Sequence, residues 1–157
     1  MGRSVAMSDT GIRFQRANFV VSDLERSLTF YRDILGMEVN YQKQSAADSY
    51  SYDVFEIDRA AVMNFAVLAT SDQPRVMALT ELKGIELPPV PAPRRAAIVL
   101  DVADIDGVVA ASKHAGLHVY EEDHLVTNDG REGREVGIVD FDDNLVVIYH
   151  ITKAAAE

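Results

Sequence analysis

Residues 19–39, FVVSDLERSLTFYRDILGMEV, decide the fold because they predict a strand, a helix and a second strand in immediate succession. The apolar residues Phe19–Val21 run into Ser22 and Asp23, whose side chains can cap the exposed amides of a following helix. In the next segment apolar residues recur every three or four positions, and most charged residues fall on the opposite side. Gly36 then ends the helix, and the alternation of apolar and polar residues after it predicts a half-buried strand.

The same order of elements returns in the second half of the chain. Residues 98–119 read IVLDVADIDGVVAASKHAGLHV, in which Asp104 matches Asp23 of the first copy and Gly116 closes a second amphipathic helix. Two copies at a long fixed offset indicate an internal duplication. A half that cannot cover its own sheet must pack against the other half. The sequence therefore predicts an α+β protein built from two related modules.

Proline spacing and apolar alternation divide the chain further. Four of the five prolines fall within residues 86–95, where missing backbone donors hold the chain extended and predict a linker. We expect a first strand at Ile12–Val21, a hairpin of Tyr52–Ile57 with Val62–Thr70, and a polar loop at Thr127–Arg134. The predicted divisions are a loose leader, a first module, the linker, a second module and a tail, at residues 1–11, 12–85, 86–95, 96–152 and 153–157.

Charge and composition disfavour several classes of function. The 157 residues carry 15 Lys and Arg against 25 Asp and Glu, a formal net charge of -10 that repels nucleic-acid phosphates and anionic membrane surfaces. The absence of cysteine removes disulfides, thiolate nucleophiles and cysteine metal ligands. No apolar run approaches the roughly 20 residues that span a bilayer, and the first residues lack the apolar core of a secretory signal. We expect a cytoplasmic protein without nucleic-acid or membrane partners.

Three stretches together resemble a known superfamily. They are the two copies at residues 19–39 and 98–119 and the closing segment 137–151, GIVDFDDNLVVIYHI. In this order they are similar to the vicinal oxygen chelate superfamily, which includes glyoxalases, bleomycin-resistance proteins and extradiol dioxygenases. The resemblance implies two βαβββ modules that form a cupped mixed sheet around a central cleft, and it implies a homodimer. It does not specify a reaction, because the superfamily includes isomerases, epimerases, lyases, dioxygenases and pure binders.

The resemblance also implies where metal-dependent members hold a divalent cation, through one early and one late strand position in each module. In this sequence those four positions carry Arg16, Ala78, Ala97 and Val147. Zinc, nickel, iron and magnesium need imidazoles or carboxylates, and a guanidinium with three aliphatic side chains supplies neither. We therefore predict no metal ligands at this place and no cofactor.

Arg16 is the first of the predicted cavity residues. It lies on the strand face directed away from the helix, where its fork of donors can pair with a carboxylate, phosphate or enolate of a ligand. The alternative is that Asp101, which strand periodicity places on the same side, neutralises Arg16 within the protein. Asn18, beside Arg16 on the same face, is predicted to orient a ligand carbonyl or else to satisfy neighbouring backbone groups.

Further contacts are predicted from both modules. Thr80 and Tyr149 share the inward side of their strands with the metal-type positions, so a hydroxyl from each module reaches a ligand unless both only fill the core. Tyr52 is predicted either to wall an aromatic ligand pocket or to pack within the protein, and Asn64 is predicted to contact the ligand. The loop Asn128–Arg134, NDGREGR, either covers the cleft as a lid or is an ordinary polar hairpin loop.

Three functions remain open from the sequence. The first is a metal-free superfamily member that binds a small, partly apolar or aromatic organic molecule, as drug-sequestering resistance proteins do. The second is a cofactor-independent isomerase or lyase acting on a carbonyl compound, in which Arg16 stabilises an enolate and Tyr149 or Asp101 transfers a proton. The third is a metal-dependent lyase or dioxygenase whose ligands lie at displaced positions.

Overall fold

The computed structural model of the protein describes residues 10–156. The first half consists of β1 (Ala17–Val21), α1 (Leu24–Leu28) with its π-helical continuation (Thr29–Ile34), β2 (Glu38–Gln44), α2 (Tyr50–Val54), β3 (Val62–Ala69) and β4 (Met77–Lys83). The second half consists of β5 (Ala97–Asp101), α3 (Ile105–His114), β6 (His118–Val119), β7 (Asp123–Val126), β8 (Glu132–Val139) and β9 (Leu145–Lys153). No helix in the described part of the chain has the length and apolar composition needed to cross a membrane.

The strands form two mixed sheets. The first has the order β1-β4-β3-β2, and the second has the order β5-β9-β8-β6 with β7 paired to β8. In each sheet the first strand of the module runs parallel to the last, and the other neighbours are antiparallel. The predicted α+β class and the duplicated arrangement are therefore confirmed.

The two faces of the first sheet have different partners. Phe19 and Val21 of β1 lie on the face that packs against the helix, as the period of two predicts. Glu81 of β4 lies on this same face. Its carboxylate accepts a hydrogen bond from the backbone amide of Leu24 at 2.5 Å and so satisfies a free amide at the start of α1. The opposite face, which carries Asn18, is left for the cavity described below.

One apolar core joins the two modules. Phe30 and Tyr31 from the helix of the first module belong to the same buried cluster as Ile105 of α3 and Ile148 of β9. All four side chains are at most 2% exposed. The modules therefore pack together through the sides of their sheets that carry the helices.

The turn between β8 and β9 docks on the start of the first helix. The Tyr31 hydroxyl donates to Asp140 Oδ2 at 2.8 Å, and Asn144 Nδ2 donates to the carbonyl of Val20 at 3.1 Å. Ser22 Oγ donates to Asp142 Oδ1. These bonds link residues more than 100 positions apart, so they hold one module against the other.

Several predicted elements have different bounds. The first strand begins at Ala17 rather than Ile12. The segment predicted as the strand Tyr52–Ile57 is instead part of α2 and the turn after it, because Ser49 caps a helix whose one buried residue is Tyr52. The polar loop predicted to reach Arg134 is shorter, since β8 already begins at Glu132. Residues 1–9 of the predicted leader lie outside the described residues.

Candidate ligand-binding site

A cavity of about 300 Å³ lies on the face of the first sheet that is opposite α1. Its wall comes from β1, β3 and β4 and from the segment around α2. All the residues that line it belong to the first half of the chain, and they are Arg16, Asn18, Ser45, Ser49, Ser51, Phe55, Met63, Phe65, Val67, Ala78 and Thr80.

Asn18 and Thr80 form a polar pair in the wall. The parallel register of β1 and β4 sets Asn18 opposite Ala78 and sets Val20 opposite Thr80, so all four side chains share one face. The Thr80 hydroxyl donates to Asn18 Oδ1 at 2.7 Å. Asn18 Nδ2 is buried and has no hydrogen-bond partner among the described residues. The amide therefore has two donor hydrogens that the protein does not use.

Arg16 is an exposed side chain that lies two residues before Asn18 and lines the same cavity. Within residues 10–156 its guanidinium makes no hydrogen bond or ion pair that would neutralise it. Asp101, the predicted internal partner, instead accepts a hydrogen bond from His150 Nδ1 at 2.9 Å. Internal pairing of Arg16 with Asp101 is therefore not the arrangement found.

The apolar part of the wall comes mainly from β3. Met63, Phe65 and Val67 alternate along this strand toward the cavity, and Phe55 adds a second ring from the end of α2. Lys43 of the neighbouring strand places Nζ 5.7 Å from the centroid of the Phe65 ring. Met63, Phe65 and Val67 are not among the residues predicted from the sequence, although the period-two alternation of this strand, which neighbours that of Thr80, is a signal for them.

The rim near α2 carries three serines. Ser49 Oγ accepts from the backbone amide of Ser51 at 3.3 Å, as the cap of α2. The backbone amide of Ser45 donates a hydrogen bond to the carbonyl of Met63 at 2.8 Å. The cavity thus combines an aromatic and aliphatic wall with hydroxyl groups at one side and amide and guanidinium donors at another.

Two predicted ligand contacts of the first module lie elsewhere. The Tyr52 hydroxyl donates to the carbonyl of Ala61 at 2.8 Å, and its ring is buried in a small apolar cluster. Asn64 points to the helix side of the sheet, where Nδ2 donates to Glu81 Oε1 at 3.2 Å. Neither residue lines this cavity, in one case because the segment is helical and in the other because of strand register.

The two predicted contacts of the second module also lie outside the cavity. Asp101 and Tyr149 are register partners in the second sheet, on β5 and β9. None of the residues that line the cavity comes from that sheet. The predicted catalytic group of Arg16, Asp101 and Tyr149 is therefore not brought together at the cavity within one chain.

The donor set does not fit a divalent metal at the place the family implies. Arg16 and Ala78 line the cavity, whereas Ala97 and Val147 belong to the second sheet. A guanidinium is cationic and has no lone pair to offer, and aliphatic side chains have no donor atom. Among residues 10–156 there is also no group of three or more His, Asp or Glu side chains placed to hold a metal ion.

The loop predicted as a possible lid has its charges paired with neighbours. Hydrogen bonds from Thr127 and Arg131 lower the pKa of Asp129 to about 2. Arg134 lies on β8 and binds Glu122 and Asp106, each at 2.6 Å. Both arginines of this segment are therefore engaged in local ion pairs, which favours the alternative of an ordinary polar hairpin loop.

The comparison with protein families agrees with this architecture. The family model of the glyoxalase/bleomycin resistance protein/dioxygenase superfamily matches residues 13–148. The chain belongs to this superfamily. No curated protein sequence matches the chain significantly.

Solved structures of superfamily proteins share the fold at low sequence identity. A glyoxalase family protein from Bacillus cereus has a TM-score of 0.70 at 17% identity, with 93% of this chain and 99% of that chain covered. The trypanothione-dependent glyoxalase I of Leishmania major has a TM-score of 0.62 at 21% identity, covering 88% of this chain and 86% of that one. A fosfomycin resistance protein from Listeria monocytogenes, in complex with Mn(II) and sulfate, has a TM-score of 0.57 at 16% identity, covering 92% and 95%. At these identities the likeness shows the fold, and the function has to be argued from the site.

Proposed function

We propose that this superfamily member binds a small, partly apolar or aromatic organic molecule in the cavity of its first sheet, without a metal ion. The observation that carries the proposal is the composition of the cavity wall, in which two phenylalanine rings and three aliphatic side chains stand beside unused polar donors. Sites for small molecules have this character, with apolar surface for affinity and a few polar groups for orientation. The volume of about 300 Å³ is at the lower end for such sites and fits a compact ligand.

The absence of metal-type donors at Arg16 and Ala78 supports binding without a metal. The isomerase or lyase alternative requires Asp101 or Tyr149 to reach the same molecule as Arg16. Both lie in the second sheet, and Asp101 is engaged with His150, so no contact among residues 10–156 favours that alternative. We also propose a cytoplasmic location, which rests on the absence of cysteine.

A ligand screen tests the proposed function. Compounds that raise the melting temperature of the purified protein are confirmed by calorimetry before and after treatment with a chelator, and each is incubated with the protein and analysed for conversion by mass spectrometry. We expect binders that survive chelation and are recovered unchanged. The variant Ala78→Leu fills the cavity from its wall and abolishes their binding, whereas Val126→Ala, on an exposed strand of the second module, leaves it intact.

The outcomes separate the functions. Affinity that disappears with the chelator and returns with a divalent ion would contradict metal-free binding. Turnover of a bound compound would instead establish the enzymatic alternative. If Ala78→Leu proves unfolded by circular dichroism, Val67→Phe fills the same cavity from β3 and replaces it in the test.

We further propose that the protein is a homodimer, as the resemblance to the superfamily implies. A groove of about 420 Å³ runs between the two modules, and its lining includes Phe14, Val76 and Val99. Phe14 is 78% exposed and Val99 is 62% exposed, so the groove presents a large apolar surface to the solvent. A second copy of the chain would cover it.

A further inference from the structure

Two donors at the cavity, the Asn18 side-chain amide and the Arg16 guanidinium, have no partner among residues 10–156, and this bears on the chemical class of the ligand. Asn18 uses only its carbonyl oxygen, in the bond from Thr80, and its Nδ2 is shielded from solvent. A buried polar group without a partner costs about 1–3 kcal/mol, and buried donors in native proteins nearly always find an acceptor. A ligand that brings an acceptor oxygen to this wall would remove that cost.

Arg16 adds a full positive charge at the same place. No Asp or Glu is among the described residues that line the cavity, although the chain has 25 of them and a net charge of -10. The guanidinium therefore has no counter-ion among the described residues of the cavity. The ammonium group of Lys43, near Phe65, lies beside the same wall. The described residues that line the cavity therefore present an anion with only cationic and neutral groups.

The remaining lining defines the other end of the ligand. Phe55, Met63, Phe65 and Val67 form an apolar surface that carries no donor of its own. A molecule that satisfies both ends has one anionic group and a compact apolar or aromatic body. The guanidinium fork can pair with a carboxylate or a phosphate, but a carboxylate carries one negative charge, which a single arginine balances, whereas a phosphate monoester carries close to two.

We propose, on the basis of the function proposed above, that the ligand is a monoanionic organic carboxylic acid. Its carboxylate binds between the Arg16 guanidinium and the Asn18 amide, and its apolar body lies against Phe55 and Phe65. Arg16 supplies the charge selection, and Asn18, held by Thr80, fixes the orientation of the carboxylate.

Matched acids and amides test this assignment. A panel of arylacetates, benzoates and short aliphatic carboxylates is titrated by calorimetry, each beside its primary amide, which has the same shape without the charge. We expect the best acid to bind at least tenfold more tightly than its amide. Raising the salt concentration weakens binding of the acid and leaves the amide unchanged, since the exposed Arg16 charge is screened. Phenylphosphonate, which can carry two negative charges, tests the preference for a monoanion and is expected to bind more weakly than benzoate.

Variants identify the residue responsible. Arg16→Gln is expected to reduce the preference for acid over amide to within about twofold, and Arg16→Lys to retain part of it, because an ammonium keeps the charge without the fork. Arg13→Gln removes the same charge three residues away, outside the cavity lining, and is expected to leave the preference unchanged. Asn18→Leu lowers the affinity for the acid while keeping a similar size.

Each result decides between the two proposals. If amides bind as tightly as acids, and Ala78→Leu abolishes both, the carboxylate assignment is overturned while small-molecule binding in this cavity stands. A preference that persists in Arg16→Gln also overturns the assignment. If neither acids nor amides bind, and the wider screen yields no compound sensitive to Ala78→Leu, both the assignment and the proposed function fail.

Discussion

Tyr31 and Asp140 are joined by a hydrogen bond of 2.8 Å that crosses 109 positions of the sequence and links the two modules. The Tyr31 side chain is fully buried and Asp140 is 5% exposed. Asp140 also accepts from the backbone amides of Asp142 and Asn144, each at 2.8 Å. One carboxylate therefore shapes the turn between β8 and β9 and fastens that turn to the helix of the other module.

Removing the hydroxyl should weaken this link. We expect Tyr31→Phe to lower the free energy of unfolding by about 2 kcal/mol, because hydrogen bonds to charged groups contribute about 1.5–3 kcal/mol. Urea denaturation monitored by circular dichroism measures the change. Tyr50→Phe is the control, since Tyr50 is 75% exposed, and it should change stability by less than about 0.5 kcal/mol. Equal effects of the two variants would contradict a structural role for the bond.

The same carboxylate should make stability depend on pH. Burial raises the pKa of Asp140 above its ordinary value. The folded state then binds the proton more tightly than the unfolded state does, so this group contributes most to stability at low pH. Its contribution falls as the pH rises from about 4, the ordinary pKa of aspartate, and levels off above the folded-state pKa. The difference in unfolding free energy between the wild type and Asp140→Asn, measured from pH 3 to 8, isolates this group. A difference that grows with rising pH would show a lowered pKa instead.

Arg94 fastens the proline-rich segment to the same turn and should give the opposite pH dependence. Its guanidinium binds the Asp143 carboxylate at 2.7 Å and the Asp143 carbonyl at 2.6 Å, and the first of these bonds lowers the pKa of Asp143. The stabilisation is present above about pH 4 and is lost as the pH falls through the lowered pKa. We expect Arg94→Gln to cost about 1 kcal/mol at pH 7 and less at pH 3, with Arg95→Gln as the exposed control. A cost that is the same at both pH values would contradict the ion pair.

The proposed homodimer can be tested at the groove between the modules. Light scattering after size-exclusion chromatography should give twice the chain mass, 17.3 kDa, for the wild type. The variants Phe14→Asp and Val99→Asp are each expected to be monomeric, because the dimer would bury the new carboxylate without a partner. Val126→Asp changes a residue that is 60% exposed and lies outside the groove lining, so it should remain dimeric. A monomeric wild type at micromolar concentration would contradict the proposal.

Local patterns predicted much of the first module correctly. The alternation of residues leading into and along β1 predicts Arg16 and Asn18 on one face and Phe19 on the other, and the structure has this arrangement. The same rule placed Thr80 toward the cavity and Glu81 toward the helix. The same rule excludes Asn64 from the cavity face, since antiparallel pairing sets Asn64 opposite Glu81, which lies on the helix side of the sheet.

Two differences from the predicted arrangement have physical causes. The sequence predicts Tyr52 in a hairpin strand, yet the cap at Ser49 and the burial of one ring stabilise a single helical turn there. Asp101 and Tyr149 were placed on the correct strands, but strand position alone did not tell whether their sheet borders the cavity.

The sequence by itself determined the two modules, their order of elements and the face of each strand on which a side chain lies, because these depend on periods of two and 3.6 residues along one segment. Only the tertiary structure decided which faces meet. The modules pack through Tyr31, Ile105 and the turn at Asp140, and the described residues that line the cavity all come from the first module and include no carboxylate beside Arg16. Distances between separate sheets follow from that packing, which no local pattern encodes.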